Sequence, residues 1–360
     1  MTTVNGQSVD GNSISFKALE KITVEGEVLD ASGQLVTDFT GIVNPTVKDS
    51  KVTVTCLKNS NKDDSPAFTF TDYPNTIFIG NDSVRNGKFS FTFTVPKDIS
   101  YSNLQGKMNL YAVDTESGNE AQGNFDNFIV GGTSDTAETD TIGPEIRALY
   151  LNDTTFVDGG QVNTTPYFVA ELWDKSGVNI TGSSVGHDMM LVIDESTVLS
   201  YNLNSYYELL LGEDGTGIVK FPIPALEPGK HTAEFWVWDI LNNSTVRTFT
   251  FEVVEGLKPF LFDVIATPGI AREQVTFHLM HNRPESRMRV GIMVYDLAGR
   301  QLWKHEESGT SGLFENYTVS WDLTSGGARM RPGVYIYRAA ISTDNSKDAT
   351  KARKFIILGE

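Results

Sequence analysis

Helix signals, cysteine and positive charge are what this sequence has little of. Cys56 is its only cysteine, so no intrachain disulfide and no paired-cysteine metal site can form. No long stretch repeats apolar residues at the 3.6-residue spacing of an amphipathic helix. No apolar run approaches the ~20 residues of a membrane-spanning helix. Lysine and arginine number 29 against 46 aspartate and glutamate, a net charge of −17 that argues against nucleic acid or anionic lipid as main partners. The opening MTTVNGQSV has neither the basic nor the apolar region of a signal peptide, which leads us to expect the back half of a longer chain.

Catalytic motifs are missing as well. There is no Gly-x-Ser-x-Gly elbow, phosphate loop or His-Glu-x-x-His pattern, and no spacing singles out a carboxylate pair. A cysteine nucleophile needs a positioned base. Every histidine, at 187, 231, 278, 281 and 305, falls far along the chain from Cys56. In KVTVTCL, Val52, Val54 and Cys56 alternate with threonines, so the thiol is expected to be buried in a core. No catalytic residue is expected in this chain.

What the sequence does contain is strand grammar. In KITVEGEVLDASGQLV, Ile22, Val24 and Val28 share a face before a turn at Asp30–Gly33. GKFSFTFTVP alternates strictly, with Phe89, Phe91, Phe93 and Val95 inward and Ser90, Thr92 and Thr94 outward, and GKMNLYAVD repeats the pattern. The acidic, small-residue stretch GGTSDTAETDTIGP has almost nothing to bury and reads as a linker. We expect an all-β chain of three consecutive immunoglobulin-like β-sandwich domains at 1–131, 145–256 and 257–360, with the linker at 132–144.

A few residues are candidates for binding or modification. Asp174 in WDKSGVN, Asp188 in GHD and Asp239 in WDILNN put oxygen donors on loops, as calcium prefers. Turn formation accounts for the same residues without an ion. Trp236 and Trp238 share one strand face, as a sugar-stacking platform would, or as a face packed on a neighbouring domain would. Ser83, Thr136, Thr141 and Thr154 each follow an aspartate, in a pattern that resembles the O-glycosylation acceptor motif of Bacteroidota.

The last hundred residues carry VGIMVYDLAGRQLW, GGARMRPGVYIYRA and a terminal KFIILGE. Together these resemble the C-terminal sorting domain of type IX secretion cargo. Farther forward, FKALEKITVEGEVLDASGQLVTDFTGIVNPTVKD, IGPEIRALYLNDTTFVDGG, GVNITGSSVGHDMMLVID and LEPGKHTAEFWVWDILNNS look, in order, like the type IX sortase family. In that family a gingipain-like (C25-type) cysteine peptidase domain is followed by β-sandwiches and a sorting-type domain. The resemblance implies the non-catalytic C-terminal half of such a peptidase, exported through the periplasm and attached to the outer membrane at the cell surface. Its implied partners are its own N-terminal peptidase domain and an outer-membrane β-barrel. ATPGIAREQVTF departs from the Tyr-Pro-Asn-Pro-like start of sorting domains. The alternative is a stand-alone adhesin or carbohydrate-binding protein built of similar sandwiches.

Overall fold

The structure, a computed structural model, describes residues 1–57, 66–135, 140–182, 186–210, 215–343 and 346–358. Among these residues there is no α-helix, only a 3-10 turn at Asn204–Tyr206 between strands. The chain is all-β and made of β-sandwich domains, as expected. By backbone proximity it divides into two compact units: residues 1–149, 170–220 and 232–248 form one, and 150–169, 221–231 and 249–360 the other.

In the first unit, strict alternation becomes a two-sided sheet. Lys88–Thr94 lies antiparallel to Lys21–Glu27, with Phe91 opposite Val24 and Phe93 opposite Ile22. The inward-facing residues are buried: Phe89, Phe91, Phe93, Ile22 and Val24 all join one core with Phe16, Val43, Met108 and Phe128. A second, three-stranded sheet of Leu104–Gln105, Phe128–Thr133 and Ile14–Ala18 closes that core. Each phenylalanine buried there contributes ~1.5–3 kcal/mol of transfer free energy. Rings at 4.3 Å (Phe16 and Phe128) and 4.6 Å (Phe78 and Phe93) add stacking.

Residues 145–253 build two further sheets, and they contribute to both units. One runs in the order Glu145–Leu151, Tyr167–Trp173, Thr216–Pro222, Tyr207–Leu209. The other runs Gln161–Val162, Ser244–Val253, Gly229–Trp238, Met190–Ile193, Ser200–Asn202. Ala233, Phe235 and Val237 point into the core while Trp236 and Trp238 lie half-buried on the opposite face.

In the second unit, residues 261–357 form a five-stranded and a three-stranded sheet around one core. The five-stranded order is Ile270–Ala271, Ala349–Ile357, Gly333–Ser342, Met288–Tyr295, Gln301–Gly309. The last strand is therefore interior: Phe355 pairs with Tyr335 on one side, and Ile356 with Ile270 on the other. Phe277 centres the core, its ring 4.8 Å from Tyr337 and 6.0 Å from Phe355. The Tyr337 hydroxyl, carried into that core, donates to the Val264 carbonyl at 3.1 Å. Arg283 is buried and donates to the Leu257 and Lys258 carbonyls, tying the entry of the chain into this sandwich.

Cys56 is not where alternation puts it. Among the described residues Val52–Thr55 pairs only with Thr69–Asp72, a two-stranded ribbon, and Cys56 follows its end exposed. Alternation buries one face only when a second layer covers it. Here Val52 and Val54 stay half-buried, and Phe68 and Phe70 stack on each other at 6.4 Å while exposed.

Candidate functional site

Four hairpin corners share one chemistry, and the candidate site grows out of one of them. At Asp30–Gln34 the backbone N–H of Asp30 donates to Gln34 O and Gly33 N–H donates to Asp30 O. The Asp30 carboxylate accepts the N–H groups of Ser32 and Gln34. Gly33 takes φ +78°, where a Cβ is strained. Asp296–Arg300 repeats every one of these bonds, with Gly299 at φ +83°. Asp114–Asn119 is a one-residue-longer version. Asp239–Asn243 is the same corner again, with Asn242 (φ +73°) in the place of glycine.

At Asp239 the corner is buried beside two more carboxylates. Asp140, Asp174 and Asp239 each offer an oxygen within 4.8 Å of the others. Asp174 accepts Ser176 N–H and Gly177 N–H at 2.8 and 2.9 Å. Asp140 accepts the Ser176 hydroxyl at 2.7 Å, and Asp239 accepts the Asn243 amide at 2.6 Å. Burial is the main reason the Asp174 carboxyl is pushed up to about 6, with the neighbouring carboxylates adding to it. Burial raises Asp239 as well, against the pull of its hydrogen bonds. Asp140 goes the other way, held below its ordinary value by the Ser176 hydroxyl and the Ile142 N–H. Three acidic oxygens of this kind are the donor set a hard cation takes. Each also has a defined use as a loop acceptor.

Beside the triad lies a cleft of about 760 Å³, lined by Asp174 and Tyr207 together with Phe78, Arg85, Phe91 and Ile180. The Tyr207 phenol is raised by burial first and by Asp174 second.

A second polar joint involves Asp98. Its carboxylate contacts His187 Nδ1 at 2.7 Å and accepts the Asn242 amide at 2.9 Å, while the His187 ring lies 4.5 Å from that of Trp238. Lys97 N–H donates to the Ile240 carbonyl in the same place. Sequence reading missed Asp98, His187 and Asp140, because nothing in the linear pattern brings position 98 to 187 or a linker acid to Asp174.

The remaining candidates are separate. Asp188 stands outside the triad and accepts the Asn204 amide at 2.7 Å. Trp236 donates to Glu234 at 3.3 Å. Ser83, Thr141 and Thr154 are exposed, and Thr136 lies outside the described residues. In the second unit, burial pushes His281 down to about 4, with Arg283 contributing. Its Nδ1 accepts the Arg283 N–H, so Nε2 carries the proton donated to Ser311.

No family profile and no curated protein matches this chain. Among solved structures it is similar to dimeric latent PorU from Porphyromonas gingivalis, at 38% identity over 100% of this chain and 34% of that one, with a TM-score of 0.43. Two remoter neighbours are the Ig1-2 module of the Drosophila receptor tyrosine phosphatase DLAR and the FN1–FN3 domains of chicken CNTN1. The first is 10% identical, covers 61% of this chain and 100% of that one, and has a TM-score of 0.24. The second is 7% identical, covers 93% and 97%, and has a TM-score of 0.22. Neither bears on function. The identity to PorU runs from end to end, so the chain is a PorU-like region spanning about a third of that protein's length.

Proposed function

We propose that this chain is the non-catalytic C-terminal part of a cell-surface, gingipain-like cysteine peptidase of the type IX secretion system. In this reading it serves export, attachment to the outer membrane and positioning of the peptidase domain that precedes it. Residues 1–131, 145–256 and 257–360 act as three sandwiches, the last being a sorting-type domain whose partner is an outer-membrane β-barrel. The observation that carries the reading is the 38% identity to PorU over the whole chain. Two others support it. Cys56 lies exposed at the end of a ribbon, and no histidine stands near it in sequence to serve as the base that a nucleophile needs. The acidic charge of −17 suits an exported surface protein.

The test is removal of Lys354–Glu360. This takes Phe355 and Ile357 out of the core and leaves the Gly333–Ser342 strand with a raw edge. Each lost side chain costs ~1.5–3 kcal/mol of transfer free energy, and the lost ladder adds to it, against a total domain stability of ~5–15 kcal/mol. The truncated chain, expressed behind a signal peptide in a type IX-competent host, is expected to vanish from the cell surface. Normal surface levels would overturn the reading in favour of a stand-alone adhesin.

A further inference from the structure

Charge is not evenly spread along this acidic chain. Residues 257–360 hold 14 of the 29 Lys and Arg but only 11 of the 46 Asp and Glu, +3 by difference, which leaves −20 for residues 1–256. The cation type changes too. Nine of those 14 are arginine, against three of the 15 in residues 1–256.

The outer face of the five-stranded sheet concentrates this change around an apolar ladder. Ile270 pairs with Ile356, and Ile356 pairs with Val334. The corner carrying Leu297 lies at the same end, two residues past Tyr295, which pairs with Ile336. Ile270, Val334 and Leu297 are 56%, 41% and 66% exposed, and Ile356 is half-buried. At ~4.8 Å per strand the three paired positions span about 10 Å, with the Leu297 corner beyond them. The next rows on this face bring in Lys354 beside Ile336, and Arg338 beside Met293, which itself pairs with Lys304. Arg338 and Lys354 are exposed, with no ion-pair partner among the described residues.

We propose that this face, the Ile270–Ile356–Val334 ladder with the Leu297 corner, Arg338 and Lys354, docks a separate acidic protein that presents an apolar strip bordered by carboxylates. A contiguous apolar strip on a soluble surface marks an interaction site. Arginine is enriched and lysine depleted at protein interfaces, because the planar guanidinium meets carboxylates two bonds at a time. Asp296 and Glu306 are interleaved on the same sheet, each paired to its own cation. A uniformly anionic lipid surface would repel them, whereas a protein can arrange its charges around them. A second copy of the chain could offer its acidic front only head to tail, a contact that propagates unless its rotation closes a ring.

The inference rests on reading the chain's end as an attachment module, so the truncation described above is run in parallel. The full chain is expressed in the type IX-competent host as wild type, as Leu297→Glu with Val334→Glu, and as Arg338→Glu with Lys354→Glu. Val198→Glu, an exposed site elsewhere, serves as control. Surface retention is expected to fall about tenfold or more in both double variants and to stay unchanged in the control. Melting temperatures of the purified chains are expected to match. A benzophenone photo-crosslinker in place of Val334 is expected to capture one acidic protein other than this chain, and raised salt or the Arg338/Lys354 reversal is expected to abolish capture.

Crosslinking only to a second copy would overturn the proposal. So would binding to protein-free phosphatidylcholine–phosphatidylglycerol vesicles that shows the same losses. If truncation abolishes surface display but both double variants are retained like wild type, this inference fails and the attachment reading stands. If truncation has no effect, the attachment reading itself fails.

Discussion

The corners at Asp239–Asn243 and Asp296–Arg300 make the same backbone bonds yet hold their carboxyls on opposite sides of the ordinary value. Asp296 accepts Ala298 and Arg300 N–H groups, its side chain is 23% exposed, and the Arg300 N–H and guanidinium keep it low. Asp239 accepts the equivalent N–H groups of Leu241 and Asn243 but is 0% exposed, and burial outweighs those bonds. A short Asp-x-x-Gly/Asn-x stretch thus sets the turn, while its surroundings set the charge. The contrast extends to the units around them. The first unit buries carboxyls that resist ionising; the second buries a histidine that resists protonation.

Removing the capping carboxylate is the strongest way to break the comparison. Asp239→Ala leaves two backbone N–H groups without their acceptor beside a buried position and takes one of two acceptors from the Asn243 amide. It is expected to destabilise the first unit by about 3 kcal/mol in denaturant unfolding. Asp296→Ala, where water can replace the lost acceptor, is expected to cost about 1 kcal/mol. Equal costs would show that burial does not distinguish the two corners.

Opposite pH slopes sharpen the comparison. Asp174 ionises at 3.8 when unfolded and at about 6 when folded, so the folded state binds more protons in between. The Asp174 contribution to first-unit stability is expected to be full at or below pH 4 and to be lost as pH rises to 6, by on the order of 2 kcal/mol. His281 titrates at 6.5 when unfolded and about 4 when folded. Second-unit stability is therefore full above pH 6.5 and is lost as pH falls toward 4, by a similar order. Asp174→Asn flattens the first slope and His281→Gln the second. Hydrogen exchange resolved to each unit checks both, and parallel slopes would refute the assignment.

Cys56→Ser is the smallest perturbation. With the thiol exposed past the ribbon's end, it is expected to shift stability by under about 0.5 kcal/mol. Wild-type Cys56 should react with a thiol reagent in the native state, which a buried thiol would not.

Much of the fold was legible, because a strand's two-residue period is written locally. Ile22, Val24, Phe89, Phe91 and Phe93 were assigned to the core from alternation alone, and all are buried. The Asp30 corner was legible from its aspartate and glycine. Asp174 and Asp239 were picked out as loop donors, but Asp188, chosen on the same grounds, lies apart. Cys56 failed for a stated reason: alternation reports a face that can be covered, not the layer that covers it.

What the sequence determined by itself is the all-β class, the corner chemistry and the direction in which most side chains point, since each depends on residues a few positions apart. Only the tertiary structure decided that the final strand is interior, that Asp140 meets Asp174 and Asp239, and that Asp98 meets His187. Those meetings join residues tens of positions apart, and the low dielectric that shifts a buried carboxyl exists only once other strands have excluded the water.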